Sequence, residues 1–505
     1  MKLQRILYNQ LNKEYLYDDS DHFLLLHNTW DIRTCTSAGN ISLNMYSKLV
    51  AYAWAKAFSE SLERSTFLIT DSWISTLVQI FNQHNYSVIT VMDSCESYVS
   101  DNLKKIKKTL SKEWITLEFR PNKQFLVSHQ QFIDQFEKPP IMETFYRWMR
   151  KEYHILMEWD VSQKPVWWKR NYDKENRKFD KTFDDVEHLS FDSKYRKQAC
   201  DHYADDIQDQ WKKPLAYIPI TREQSLQLLD HFITHHLDRF WELEDAMYTT
   251  SDFVHHSLLS IPINFWLLTP WEVIQAIEQA DTAINNKEWF IRQVLGRREY
   301  MYHWFNYYKD DIYDQNFFDH KQKLPERFRR PDMSPVPIKK MKCVSSVLEK
   351  VNRLGYSHHI ERLMIVGNFC LLVWYNPHQV NQRFREQYVD AFEWVVTPNV
   401  LGMSQYADGW KLATKPYVAS ANYVNKMSNY CKSCQYNPKE KYWEDACPLN
   451  YLYRNFVKKN KEVFVKWRQS FIVKHLEKID TKAIQKQSYD FISSISWDEE
   501  KNDIH

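Results

Sequence analysis

The distribution of hydrophobic and polar residues divides the chain into two parts. Up to about residue 125, short apolar runs rich in branched and aromatic residues alternate with helical patterns. The runs lie at residues 6–8, 23–26, 66–70, 87–92 and 114–119, and two of the helical patterns lie at 49–58 and 97–110. Strands that alternate with helices favour a parallel sheet with helices on both faces. We therefore predict an α/β domain over residues 1–125.

After residue 217 the pattern becomes that of helices. A capping-box pair precedes an apolar stripe with helical spacing, and the residues are Thr221 and Gln224, then Leu229, Phe232, Ile233 and Leu237. Strand-like alternation is rare as far as residue 475. We predict one large all-α domain over residues 218–475. A linker over 126–217 joins it to the first domain, and a polar tail covers 476–505.

Composition limits the function classes. The formal net charge is +2, so a nucleic-acid site has to be a local patch. Residues 167–178 mix basic and aromatic side chains, which suits either a DNA-contacting arm or a solvated interdomain loop. Of six glycines, Gly39 alone precedes Gly296, which excludes a glycine-rich phosphate loop from the first half.

The sequence has no feature typical of membrane insertion or secretion. The N-terminus, MKLQRILYNQ, lacks the apolar core of a signal peptide. The longest apolar stretch, residues 363–375, is interrupted by Asn368 and is too short to span a bilayer. We expect a cytoplasmic protein without membrane contact, in which the cysteines are thiols or metal ligands and not disulfides.

Four of the eight cysteines have the spacing of a metal site. Cys431 and Cys434 form C-x2-C, Cys447 follows, and Cys343 lies upstream. From spacing alone, structural zinc is the commoner occupant of four thiolates, and an iron–sulfur cluster takes the same ligands. The remaining cysteines have no paired spacing and are expected to be small buried hydrophobes: Cys35, Cys95, Cys200 and Cys370.

Long segments around these cysteines match a known family. They include GYSHHIERLMIVGNF from residue 355, YVDAFEWV from 388, PNVLGMSQYADG from 398 and DACPLN from 445. Earlier ones are NYDKENRK from 171, EDAM from 244, HSLLSIPIN from 256 and FIRQVLG from 290. Through them the chain resembles the iron–sulfur bacterial cryptochromes and photolyases, also called prokaryotic (6-4) photolyases. The resemblance implies the photolyase/cryptochrome fold, with a Rossmann-like antenna domain before an all-α FAD-binding domain.

The resemblance also implies an activity. It predicts a lyase that repairs (6-4) pyrimidine photoproducts in damaged DNA by electron transfer from light-excited reduced FAD, with the lesion flipped into the flavin pocket. It assigns a [4Fe-4S] cluster to Cys343, Cys431, Cys434 and Cys447 in place of zinc. The alternative within the same family is a cryptochrome-like blue-light photoreceptor without repair activity. We expect a monomer, and no partner protein can be named.

Several site residues follow from the matched segments. His359 is the expected proton donor with His358 assisting, since (6-4) repair needs a proton near neutral pH; by itself a tandem histidine is more often a surface pair. The residues implied at FAD are Ser257, Ser260, Asn264, Gln293, Arg362, Asp390 and Trp394. The residues implied at DNA are Arg177, Lys178 and Tyr417, with Asp173 as a candidate Mg²⁺ ligand.

The chain departs from the family at the flavin. Val396 stands where the family has a glutamate close to the ring, and Arg383 and Phe384 stand where it has an aromatic pair on the electron path to the flavin. Trp266 and Trp410 replace glycines, and we expect their bulk to disturb a close approach of backbones.

Further departures concern the pocket and the antenna. Arg297 replaces a tryptophan. At the antenna end, Asn9 and His27 replace an aspartate and a glutamate, so a lumazine-type chromophore is not expected. These changes fit either a sensor or a repair enzyme with an altered electron supply.

Overall fold

The computed structural model describes most of the chain. The described residues are 1–27, 45–69, 73–84, 86–159, 165–166, 179–203, 214–325, 328, 336–477 and 479–496. Arg177, Lys178 and Asp173, which we expect at the DNA, lie outside these ranges, as does Cys35. Their roles stay predictions.

A five-stranded parallel sheet forms the N-terminal part of the chain, as predicted. The strands are β1 (Lys2–Ile6), β2 (His22–His27), β3 (Ser65–Ile69), β4 (Val88–Met92) and β5 (Thr116–Arg120). They lie in the order β3-β2-β1-β4-β5. In the central strand, Gln4 is paired with Phe23 of β2 and with Thr90 of β4.

The first strand lies earlier than its apolar run predicts. The run at residues 6–8 places a strand there, whereas β1 ends at Ile6. The strand contains Gln4 and Arg5, which are both almost fully buried. Gln4 Oε1 accepts a hydrogen bond from the Tyr17 amide at 2.8 Å. Polar side chains that are satisfied inside a central strand hide that strand from a search for apolar runs.

Both faces of the sheet are buried. Along β2, Leu24 and Leu26 join a smaller core with helix residues such as Leu103. Phe23 and Leu25, which point the other way, join a larger core that continues into the helical part. This alternation follows from the two-residue period of a strand, and it ties the sheet to the helices on one face.

The rest of the described chain is mainly helical. The α-helices are α1 (Met45–Glu60), α2 (Trp73–His84), α3 (Ser97–Leu110), α4 (His129–Phe136), α5 (Met142–Glu152), α6 (Lys194–His202), α7 (Arg222–His235), α8 (Leu237–Leu243), α9 (Ser260–Asn264), α10 (Pro270–Gln279), α11 (Ile284–Ile291), α12 (Tyr300–Ile312), α13 (Val336–Lys340), α14 (Lys342–Leu354), α15 (Asn368–Leu372), α16 (Pro377–Gln387), α17 (Glu393–Thr397), α18 (Ala421–Met427), α19 (Pro448–Lys459), α20 (Lys461–Lys466), α21 (Ser470–Val473) and α22 (Thr481–Ile495). The predicted capping box of Thr221 and Gln224 is confirmed at the start of α7.

The described residues also contain a short antiparallel pair that the sequence did not predict, formed by β6 (Glu158–Trp159) and β7 (Pro165–Val166). Within the described ranges, no helix is both long enough and apolar enough to cross a membrane.

Three helical segments of the described chain are wound as π-helix, and each contains a glycine. They are Arg292–Glu299 with Gly296, Glu361–Gly367 with Gly367, and Pro398–Ser404 with Gly402. A Cβ on Gly367 would lie 2.8 Å from the Cβ of Ser404, which is too close for two carbon atoms. Glycine therefore permits the second and third π-helical segments to touch.

The sheet and the helical part are joined by hydrogen bonds as well as by the shared core. Trp54 Nε1 donates to the Pro219 carbonyl at 2.7 Å. The Glu393 amide donates to Glu96 Oε1 at 2.9 Å, and Glu393 accepts in turn from the Ser97 amide at 3.1 Å. Helix α17, which leads into the third π-helical segment, is therefore fixed directly against the N-terminal part.

Candidate functional site: a cavity and a four-cysteine pocket

A cavity of about 290 Å³ lies among the three π-helical segments. The first segment supplies Gln293 and Arg298 to its wall, the second supplies Arg362, and the third supplies Asn399 and Met403. π-Helical turns are frequent at functional sites. The sequence predicts helices here but does not predict that they are wound as π-helix. The glycine in each segment was the available sequence signal of that winding.

Arg362 and Asp390 form a two-point ion pair on the cavity wall. Arg362 Nη1 lies 3.0 Å from Asp390 Oδ1, and Nη2 donates to Oδ2 at 3.1 Å. Ser260 Oγ also donates to Asp390 Oδ2 at 2.9 Å, and Arg362 Nε donates to the Ser357 carbonyl at 2.7 Å. Burial opposes the charge of Arg362, but Asp390 and nearby tyrosines hold its pKa above the ordinary value. The guanidinium group is thus charged and fixed in one orientation.

The loop before α9 and α9 itself bring further predicted residues to the same wall. Ser257 and Asn264 both line the cavity. Ser257 Oγ accepts from the Leu259 amide at 3.2 Å, and Asn264 Nδ2 donates to the Asp390 carbonyl at 3.2 Å. Leu258 has a left-handed φ of 58°, which a non-glycine residue adopts at a cost and only where its surroundings hold it. The loop is therefore built to a fixed shape around the cavity.

Arg298 lies between two aromatic rings at the cavity. Its guanidinium carbon is 5.2 Å from the ring centroid of Trp394 and 4.3 Å from that of Phe125. Arg298 Nη1 donates to Glu299 at 2.8 Å, and burial raises the pKa of Glu299 to about 7 against the opposing effect of Arg298. The sequence pattern gave Arg298 no role. Its only signal was its place in the segment GRREY.

The tandem histidines occupy different environments. His359 lines the cavity with 30% of its side chain exposed, and its Nε2 lies 3.5 Å from Glu244 Oε1 and 3.9 Å from Asp245 Oδ1. His358 is fully buried, is absent from the cavity wall and stacks on His256 with ring centroids 4.5 Å apart. Burial lowers the pKa of His358 far below the ordinary value. Direct contact with a cavity ligand is therefore open to His359, whereas His358 lies behind it.

Glu244 is a cavity residue to which the sequence assigned no role. It is buried, it lines the cavity, and its backbone carbonyl lies 3.1 Å from His256 Nε2. The signal was the matched segment EDAM, which contains both Glu244 and Asp245. The structure thus adds two carboxyl groups beside His359.

Three of the departures from the family lie on the cavity wall, namely Val396, Phe384 and Arg297. Arg383 is buried outside the cavity wall, and its Nη1 donates to Glu386 at 3.0 Å. These three sequence differences are therefore changes in the cavity lining itself.

Trp266 and Trp410 are outside the cavity wall, and both adopt left-handed φ values of 62° and 74°. Glycine favours this conformation, which accounts for the family's glycines at these positions. Trp266 stacks on Tyr15 at 4.4 Å, and Trp410 stacks on Tyr406 at 5.2 Å. We expected the bulk of these side chains to disturb a close approach of backbones. The effect is different: the left-handed backbone remains, and each indole packs on a neighbouring ring.

Tyr417, which we expect near DNA, is half-buried and is not among the residues that line the cavity. Its amide donates a hydrogen bond to the hydroxyl of Tyr406. The ring-stacked Tyr406 and Trp410 therefore support the segment that carries Tyr417.

The four predicted cysteines line one small pocket. Cys343 is the second residue of α14, Cys431 lies in a 3₁₀ turn (Tyr430–Ser433) that Cys434 follows, and Cys447 precedes α19. Burial raises the pKa of Cys431 to about 11 and that of Cys447 to about 12. Without a positive centre between them these groups are neutral thiols, and a bound metal would convert them to thiolates.

The sulfur atoms of this pocket are widely spaced. Among the described histidine, cysteine and acidic side chains, three place their ligand atoms within 4.8 Å of one another. They are His256, His358 and His359. No three of the four sulfurs therefore meet this limit. A single tetrahedral zinc ion would draw its sulfurs to about 3.8 Å apart. The four thiols are ligands that either zinc or an iron–sulfur cluster accepts.

Comparison with solved structures identifies the fold. A class III photolyase of Agrobacterium tumefaciens is 16% identical, with a TM-score of 0.55 over 99% of this chain and 92% of that one. A Synechocystis cryptochrome is 12% identical, with a TM-score of 0.56 over 97% and 93% of the two chains. The fold is that of photolyases and cryptochromes, as predicted.

Sequence comparison then assigns the family. A family model described as deoxyribodipyrimidine photo-lyase-related protein matches residues 59–211. A protein of Agrobacterium fabrum named (6-4) photolyase is 38% identical over 359 residues, which are 69% of this chain and 69% of that protein. The chain belongs to the (6-4) photolyase family.

Proposed function

We propose that this protein is a light-driven flavoprotein that repairs (6-4) pyrimidine photoproducts in DNA. The observation that carries the proposal is the single cavity that His359 shares with the Arg362–Asp390 pair and with two serines, Ser257 just before α9 and Ser260 at its start. The relative named (6-4) photolyase supports the same activity.

The cavity suits FAD by the chemistry of its lining. Three guanidinium groups, those of Arg297, Arg298 and Arg362, suit a ligand that carries negative charge. The leucine, valine, methionine and aromatic side chains beside them suit a large apolar ring system. FAD supplies light absorption and a transferable electron when bound. Arg362 would then stabilise negative charge on the ring, and Asp390 would hold Arg362 in place.

His359 is the residue we assign to proton donation. It is partly exposed on the cavity, and the carboxyl groups of Glu244 and Asp245 lie within 4 Å of its Nε2. Negative charge at that distance favours the protonated imidazolium, which is the form that can donate. His358 assists from behind the cavity wall by packing.

We propose a [4Fe-4S] cluster on Cys343, Cys431, Cys434 and Cys447. The support is that four thiols line one pocket, while no three sulfurs are as close as a single zinc ion requires. The spacing of the cysteines along the sequence favours zinc by itself. The same reasoning changes that preference to an iron–sulfur cluster.

We also propose a domain organisation and a set of DNA contacts. Residues 1–125 are proposed as the antenna domain, 126–217 as the linker, 218–475 as the FAD and cluster domain and 476–505 as a tail. Damaged DNA is the proposed macromolecular substrate of a monomer. Arg177, Lys178 and Tyr417 are proposed to contact it, with Asp173 near a Mg²⁺ ion.

A second function is a cryptochrome-like photoreceptor. The observation in its favour is that Val396, Phe384 and Arg297 all line the cavity, so the differences from the family concern groups in reach of the cofactor. A valine cannot exchange a proton with the flavin ring, and a phenylalanine is a poor electron carrier. Such a pocket keeps flavin photochemistry while altering how the flavin is reduced.

One experiment separates the two functions. Purified protein is mixed with a duplex that carries one (6-4) lesion, either as isolated or after chemical reduction, and is exposed to blue light. Restored pyrimidines are counted by chromatography. We expect repair after chemical reduction, because that step bypasses the electron path to the flavin. In this chain Arg383 and Phe384 replace the aromatic pair on that path. Absence of repair by the reduced protein would leave the photoreceptor as the function.

Two variants make the result specific to the site. His359→Asn removes the proton donor at similar size, and repair should fall by about 100-fold or more with flavin content unchanged. His84→Asn changes an exposed histidine on α2 and should repair at the wild-type rate. Equal activity of the two variants would remove His359 from the chemistry.

A further inference from the structure

Three imidazole rings meet beside the cavity. His256, His358 and His359 each place a ring nitrogen so that these atoms all lie within 4.8 Å of one another. The rings of His256 and His358 are stacked, with centroids 4.5 Å apart, and the ring of His359 lies 5.5 Å from that of His256. Among the described residues, this is the group of three histidine, cysteine or acidic side chains whose ligand atoms lie this close together.

Two of these rings have a nitrogen near an oxygen acceptor. His256 Nε2 lies 3.1 Å from the Glu244 carbonyl, and His358 Nε2 lies 3.7 Å from Glu361 Oε1. Histidines that bind metals nearly always offer their other N–H group to a carbonyl or a carboxylate, which fixes the tautomer and frees the remaining lone pair. His256 already has this arrangement, whereas the distance of 3.7 Å at His358 is too long for a hydrogen bond.

Burial makes His358 costly unless it has a ligand. His358 is 1% exposed, and neither of its ring nitrogens makes a hydrogen bond. A buried polar group without a hydrogen bond costs about 1–3 kcal/mol, and such groups in native proteins often mark a water or an ion. Neutral imidazole is the form that binds metals.

Access and charge complete the site. His359 is 30% exposed on the cavity, so an ion can reach the group from the cavity side. Glu244 Oε1 lies 3.5 Å and Asp245 Oδ1 3.9 Å from His359 Nε2, and their negative charge would offset that of a divalent cation. Glu361, by contrast, is already paired with Lys350 at 2.8 Å.

We propose that His256, His358 and His359 bind one divalent transition-metal ion of the zinc class, with the Glu244 carboxylate beside it. Imidazole nitrogens select zinc, copper, iron or nickel over magnesium, which prefers oxygen ligands. Tetrahedral zinc needs its nitrogens about 3.4 Å apart, so the rings have to draw together by small rotations when the ion enters.

The consequence for activity rests on the proposed function. A metal ion on His359 occupies a lone pair and, by its charge, disfavours the protonated ring. The same imidazole cannot hold the ion and donate a proton to a lesion. Bound zinc therefore acts as a reversible inhibitor of repair at the proton-donating residue.

The test measures binding in the dark and without DNA. Purified holoprotein of known iron content is titrated with zinc against a chromophoric chelator, and magnesium is titrated in parallel. We expect one equivalent of tightly bound zinc, no competition by magnesium and no loss of iron. His256→Asn and His359→Asn should each weaken zinc binding by about 100-fold, since even a change beside a ligand typically costs 10–100-fold. Far-UV circular dichroism checks that both variants are folded.

A second histidine pair provides the control. His231 and His235 lie one turn apart on α7 with ring centroids 4.6 Å apart, and such a surface pair also attracts zinc. In the double variant His231→Asn/His235→Asn the tight equivalent should remain. Its loss there would overturn the proposal, as would unchanged binding in both cavity variants or zinc uptake matched by iron release.

The inhibition is measured separately. Zinc should slow repair by the wild type, and a chelator should restore the rate. If the protein repairs nothing, the titration still decides the metal site, so failure of the proposed function and failure of this inference give different results.

Discussion

The large cavity and the four-cysteine pocket differ in how the protein satisfies their polar groups. In the cavity, Arg362 meets Asp390 at two points, and Ser260 donates to the same carboxylate. In the cysteine pocket, Cys434 Sγ lies 3.5 Å from the Lys340 carbonyl, a weak contact, and burial raises the pKa of Cys431 to about 11. The chain itself thus provides partners for the polar groups of the cavity. The cysteines of the pocket depend for theirs on the group that the pocket binds.

Removal of one cysteine ligand should have the largest effect. In Cys431→Ser we expect loss of bound iron and a fall in the free energy of unfolding on the order of 5 kcal/mol, because binding to such a site is coupled to folding. Iron analysis and urea unfolding measure the two quantities. Cys200→Ser, at a half-buried cysteine outside the pocket, should keep its iron. Full stability of Cys431→Ser would show that the pocket, like the cavity, is self-supporting.

The cavity should respond next to the loss of its central charge. Asp390→Asn leaves Arg362 buried without its carboxylate, and we expect a loss of about 3 kcal/mol in unfolding free energy together with reduced flavin content. The matched control is Asp252→Asn, which breaks a more exposed pair with Arg353 and should cost less than about 1 kcal/mol. Similar losses in the two variants would show that the Arg362–Asp390 pair does not organise the cavity.

A pH series should expose a buried carboxyl that supports the cavity. Burial raises the folded-state pKa of Glu299 to about 7, so the folded protein keeps a proton that the unfolded chain releases near pH 4.5. Stability from this group is therefore present at low pH and is lost as the pH rises through 7. Between pH 5 and 8 the wild type should lose about 1–2 kcal/mol relative to Glu299→Gln. The exposed variant Glu113→Gln should run parallel to the wild type.

The smallest effect should come from a position outside both regions. Trp266 has a left-handed φ of 62°, so Trp266→Gly should be more stable than Trp266→Ala by about 1 kcal/mol, although both lose the contact with Tyr15. At Trp304, inside α12, the order should reverse by a similar amount. Thermal unfolding of the four variants, with flavin content unchanged at Trp266, would show that this departure affects stability and not the cavity.

The strands were predictable where apolar residues dominate and were misplaced where they do not. The runs at 23–26, 66–70, 87–92 and 114–119 coincide with strands because branched and aromatic side chains favour extended backbone. The central β1 carries Gln4 and Arg5, whose burial depends on partners distant in sequence. Such tertiary compensation is invisible to a local pattern.

The candidate site was predictable through matched segments and not through spacing. Arg362 and Asp390 are 28 residues apart, and nothing in their local sequence predicts a two-point pair. Glu244 lay inside a matched segment and Arg298 just after one, but neither had an assigned role, since their place on the wall follows from how the helices cross. The difference between His358 and His359 is likewise a matter of tertiary burial.

The three π-helical segments make the cavity sensitive to chain length. An α-helix turns by about 100° per residue, so each residue inserted or deleted rotates one flank of a helix against the other by that angle. A one-residue deletion within Glu361–Gly367 would turn Arg362 relative to the residues that follow, without altering any side chain. Related chains that are shorter by one residue in any of these segments would therefore have a cavity of different outline, even with every lining residue retained.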